Sequence, residues 1–64
     1  MEIFNEKEYI EFLLNSFYKE CINGNSEDYI ENIYYFIRQA IYRSELPSMV
    51  KIDFFDKLKE IKGV

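Results

Sequence analysis

Two carboxylate pairs stand at helical spacing, Glu8 with Glu11 and Asp28 with Glu31. Such a pair can divide acid and base roles when its surroundings separate the two pKa values within a pocket. Both pairs sit among other polar residues, the setting of a solvated helix face. Carboxylate metal sites in helical bundles add histidine in Glu-x-x-His, and this chain has no histidine. Cys21 is the single cysteine, so neither an intrachain disulfide nor a usual zinc ligand set can be assembled from the chain. It reads as a small buried hydrophobe, since no histidine and no adjacent cationic pair would lower its pKa. The only glycines, Gly24 and Gly63, are too far apart for a phosphate-cradling loop. The expectation is therefore a protein without catalytic residues, metal or cofactor. What remains is contact chemistry. Tyr35 and Tyr42, seven residues apart, fall at helical spacing on an otherwise polar face flanked by Asp28, Glu31 and Arg38. Exposed tyrosines supply contact area at low entropic cost and are enriched at interfaces.

With 64 residues the chain makes one domain, residues 1–64, and a chain this short buries only about 60% of its unfolded surface. Disulfides and metals being excluded, association is the remaining aid to stability. Six Phe, six Tyr and nine Ile supply apolar surface for a dense core or a subunit interface. The net charge of −4 disfavours direct nucleic-acid binding, although residues 47–64 alone carry +1. No apolar run approaches the roughly 18 residues that a membrane span requires. The lone thiol, and the polar Asn5-Glu6-Lys7-Glu8 directly after Met1–Phe4, point to a cytoplasmic location.

The elements that must carry these residues are all helical. Gly24, Pro47 and Gly63 divide the chain into three segments. The first predicts a helix over about 6–22, ended by Asn23-Gly24-Asn25 with Gly24 left-handed. The second predicts a helix over about 27–43, opened by Ser26 as N-cap with Glu27 and Asp28 in its first turn. Pro47 then breaks the chain before a shorter helix over about 50–62, capped by Ser48 or Asp53, with an extended connector over 46–52 as the alternative. A three-residue connection makes the first two helices antiparallel neighbours. The fold class is thus all-α: an antiparallel helical hairpin plus a shorter third helix, packing as a dimer or small helical oligomer.

Projecting the second helix at about 100° per residue gathers Phe36, Tyr29, Ala40, Ile33, Ile37, Ile30, Ile41 and Tyr34 into one arc of roughly 160°. One neighbour covers less than that, so Ile30, Ile33, Tyr34, Ile37 and Ile41 are assigned to the core or to self-association. The first helix places Ile10, Leu13, Leu14, Phe17 and Cys21 on one side and leaves Phe12 and Ile22 off it. Phe12 is either covered by the third helix or by Ile3-Phe4, or it touches a partner. In the third helix Val50, Phe54, Leu58 and Ile61 align, with Phe55 at the edge and Met49 and Ile52 off the stripe.

Ser16-Phe17-Tyr18-Lys19, a short Asn-containing turn, then Asp28-Tyr29-Ile30-Glu31 with Ile33, Ile37 and Arg38 resemble the Sda family of sporulation checkpoint proteins. Those are antiparallel helical hairpins that bind the dimerisation and phosphotransfer domain of a sensor histidine kinase and block its autophosphorylation. The resemblance implies a kinase inhibitor, with Tyr29 and its neighbours at the turn as contact residues. The functional expectation is a small non-enzymatic regulatory or inhibitory protein, bacterial or phage-encoded. It would act by protein–protein binding through Tyr35, Tyr42, Arg38, Glu31, Asp28 and Phe12, with an acidic tyrosine-bearing face suited to a basic groove. A self-assembling structural subunit and an acidic nucleic-acid mimic are the alternatives.

Overall fold

A computed structural model describes residues 5–63, which form three helices, α1 (Glu6–Ile22), α2 (Glu27–Arg43) and α3 (Ser48–Lys62). Each helix packs on both others, and no strand occurs among the described residues. The Asn5 side chain opens α1 by accepting from the Glu8 N–H at 3.2 Å, with Glu6 and Glu8 in the first turn where the helix dipole favours negative charge. Ser26 does the same for α2, accepting from the Tyr29 N–H at 3.3 Å. Helix α2 is rich in isoleucine and tyrosine, residues of modest helix propensity, and its helical apolar period overrides that preference.

The turn after α1 depends on one backbone conformation. Gly24 has φ 75°, and its N–H donates to the Cys21 carbonyl at 3.3 Å. The Asn25 side-chain amide reaches back to the Glu20 carbonyl at 3.2 Å and to the Glu20 carboxylate, so the open end of α1 is satisfied from beyond the turn. A Cβ at Gly24 would point into open space, so the cost of Gly24→Ala is conformational alone. That cost is expected at about 1 kcal/mol, read as a lower urea midpoint at unchanged slope. An unchanged midpoint would mean that this left-handed turn contributes nothing to holding α1 and α2 in place.

The start of α3 differs from the sequence reading. Neither Ser48 nor Asp53 caps it: Pro47 occupies the N-cap position and no side chain bonds the free N–H groups of the first turn. Proline suits the boundary, because its missing N–H is not needed there. Residues 48–52 are therefore helical, and only the stretch between Arg43 and Ser48 connects α2 to α3. Hydrogen bonds at both of its ends hold this connection. The Glu45 N–H donates to the Glu6 carboxylate at 3.1 and 3.3 Å, and Lys51 Nζ donates to the Tyr42 carbonyl at 3.0 Å, occupying a carbonyl in the last turn of α2. Ser44, the one buried polar residue among those described, is satisfied by donating from Oγ to the Ile41 carbonyl at 2.7 Å.

All three helices supply the core. Ile10, Leu14 and Phe17 come from α1, Ile37 and Ile41 from α2, Phe54 and Leu58 from α3, and every one is buried. Leu13, Cys21, Ile30, Ile33, Tyr34, Ala40, Leu46, Val50, Phe55 and Ile61 pack around them half-buried. The apolar arc of α2 is thus covered unevenly. Ile37 and Ile41 are enclosed, Ile30, Ile33 and Tyr34 line the margin, and Tyr29 and Phe36 at one edge are left exposed, Phe36 by 59%. Two neighbours in one chain enclose most of the arc but not its full width.

Candidate binding surface

Tyr34 is the hinge of the surface that the sequence singled out. Its ring lies 6.4 Å from that of buried Phe17 and meets the edge of Tyr35 at 5.4 Å, so Tyr35 is braced on one side and 51% exposed on the other. From α3, Lys62 Nζ sits 4.3 Å from the Tyr34 ring centroid and 4.0 Å from the Glu31 carboxylate. The C-terminal turn of α3 is thereby pinned over α2 by a cation–π contact and a partly exposed ion pair, the first of which is the stronger anchor.

Six residues distributed over two helices line an open groove on this side: Tyr34, Arg38, Gln39 and Tyr42 of α2 with Phe55 and Lys59 of α3. Tyr42 is 70% exposed, and Arg38 and Lys59 are exposed as well. The structure thus brings Tyr42 and Arg38 together with two α3 residues that were not among the sequence candidates. Phe55 had been placed at the edge of the α3 stripe, and Lys59 belongs to the one segment of positive net charge. Those were the available signals.

The expected acidic, tyrosine-bearing face is divided instead. Asp28 and Glu31 line a separate depression with Asn25, Glu27, Ile30 and Lys62, while the lining at Tyr42 contains two cations and no carboxylate. Alternation along α2 alone had suggested one acidic surface; α3 adds its lysines only across the helix interface. Phe12 belongs to neither site. It is 64% exposed on α1, so α3 does not cover it, and Ile3-Phe4 lie outside the described residues. Tyr29, the residue carried by the family resemblance, is also exposed.

Cys21 is half-buried against the core, and its thiol pKa is raised first by burial and second by the Glu20 carboxylate. Both causes favour the protonated form, the opposite of what activates a nucleophilic cysteine. Among the described residues no three cysteine or carboxylate side chains gather into a metal-binding group, and no helix is long and apolar enough to cross a membrane. No family model, curated protein or solved structure matches the chain.

Proposed function

We propose that this chain is a small regulatory or inhibitory protein that works by binding another protein. The observation that carries the reading is the pair of outward phenols, Tyr35 and Tyr42, the first braced by Tyr34 and the second beside Arg38 on a groove, in a molecule whose core is otherwise closed. Rigid, partly braced aromatics next to an arginine are the side chains that dominate interface energetics. In this reading α1 and α2 form an antiparallel hairpin, supported by the short turn at Gly24 and by the bond from Glu45 back to Glu6. The target in this reading is a host enzyme or kinase in a bacterium, a sensor kinase being what the family resemblance implies.

The test is a double substitution, Tyr35→Ala with Tyr42→Ala. Affinity capture from native bacterial cytoplasm is expected to recover a protein with the parent chain that the variant loses. The melting temperature should fall by no more than a few degrees, since both side chains are exposed. A variant that melts earlier yet retains the same captured protein rejects this surface.

A second reading, a self-assembling structural subunit, is favoured by exposed Phe12, Phe36, Met49 and Ile52, which lie outside the groove lining. Light scattering on the purified chain separates the two. A stable closed oligomer that captures nothing supports assembly, and a monomer or dimer that captures a target supports regulation.

A further inference from the structure

We propose that the α2–α3 groove takes an acidic segment of the partner protein, its carboxylates at Arg38 and Lys59 and an apolar side chain against Tyr34, Tyr42 and Phe55. This deepens the protein-binding reading and rests on it. The argument is charge complementarity at the level of named groups. The chain carries −4 overall, yet this lining holds two cations and no carboxylate. Neither cation forms an ion pair or a cation–π contact among the described residues. The ion pair formed among the described residues joins Lys62 to Glu31, and the cation–π contacts employ Lys57 and Lys62, so Arg38 and Lys59 line the groove, exposed and outside those contacts. Below them the floor is aromatic and anchored: Tyr34 is fixed by Phe17, Tyr35 and Lys62, and Phe55 packs on the core.

The geometry suits a carboxylate-bearing occupant rather than a polyphosphate. The cations stand on two different helices flanking apolar rings, and acidic Glu31, Asp28 and Glu27 lie further along α2, where a uniformly anionic polymer would be repelled. Arginine offers a planar fork that can take a carboxylate through two parallel bonds, and lysine adds a point charge. A segment with one apolar anchor between acidic residues satisfies both elements, and the separate acidic depression further along α2 disfavours its running that way.

Two synthetic peptides test this on the full chain. One is a short amphipathic peptide of glutamate, leucine and phenylalanine; the other replaces every glutamate with lysine. Amide and aromatic NMR resonances of the isotopically labelled protein report the contact. The acidic peptide is expected to shift Tyr34, Arg38, Tyr42, Phe55 and Lys59, more weakly as salt is raised, while the basic peptide leaves them in place. Arg38→Glu with Lys59→Glu should weaken the acidic peptide about tenfold or more and admit the basic one. The milder pair Arg38→Gln with Lys59→Gln should weaken the acidic peptide without admitting the basic one, and circular dichroism melts confirm that either variant is folded. Equal or stronger binding of the basic peptide at these residues overturns the charge assignment while leaving the groove a protein contact. Shifts confined to Phe12 and Phe36, or none from either peptide, overturn the groove altogether. In that case the general protein-binding reading is decided separately by the capture experiment with the tyrosine variant.

Discussion

Phe17→Ala is expected to remove about 3–5 kcal/mol of stability, a large part of the margin of a domain this small. Phe17 is completely buried and belongs to the core cluster that takes residues from all three helices. Truncating a buried phenylalanine costs about 3–5 kcal/mol, because lost transfer energy and an unfilled cavity add together. At about 0.05–0.15 kcal/mol per residue, a domain of this size has roughly 3–10 kcal/mol in total. The substitution also removes the ring against which Tyr34 is set, loosening the support of the groove floor. Far-ultraviolet circular dichroism with urea titration measures the effect, and Phe12→Ala is the matched control. Phe12 is exposed, so its loss should change stability by no more than about 0.5 kcal/mol. If the two variants lost equal stability, the distinction between core and surface on α1 would be mistaken.

Removing α3 is expected to have a still larger effect. A chain ending at Leu46 loses Phe54 and Leu58 from the core, together with half-buried Val50, Phe55 and Ile61. Burying one such side chain contributes about 1.5–3 kcal/mol, so the deletion removes more than a small domain's margin. It also opens the cluster that encloses Ile37 and Ile41. The shortened chain should show no cooperative thermal transition at low concentration, with collapsed NMR chemical-shift dispersion. A sharp melt from a monomeric species would mean that α1 and α2 suffice and that α3 is an appendage. The bond from Lys51 to Tyr42 and the clamp of Lys62 on Tyr34 argue for integration, since they fasten both ends of α3 to α2.

The helical character of the chain was legible because its signals are local. Ser26 caps α2 through its own hydroxyl, Gly24 supplies the positive φ that side-chain-bearing residues avoid, and Pro47 marks a boundary by lacking an N–H. The start of α3 was harder. Ser48 looked like a cap, but a helix can begin on a proline with no side-chain cap when its apolar face is well packed, as Val50, Phe54 and Leu58 are. Among the candidate contact residues, the exposure of Tyr35 and Tyr42 follows from their angle on α2. The same projection placed Phe36 and Tyr29 within the apolar arc, where the structure leaves them exposed.

Three helices, their punctuation and the direction each side chain takes around its own axis can be read along the chain, because a period of 3.6 residues is a property of one segment. Only the tertiary structure decided which edge of the α2 arc is covered, and that Phe55 and Lys59 stand across from Tyr42 and Arg38. The physical reason is that the rotation and axial shift between packed helices are set by interdigitation of side chains from both partners, a relation that no single helix encodes. The division of this face into an acidic depression and a groove whose two cations come from two helices is the direct result.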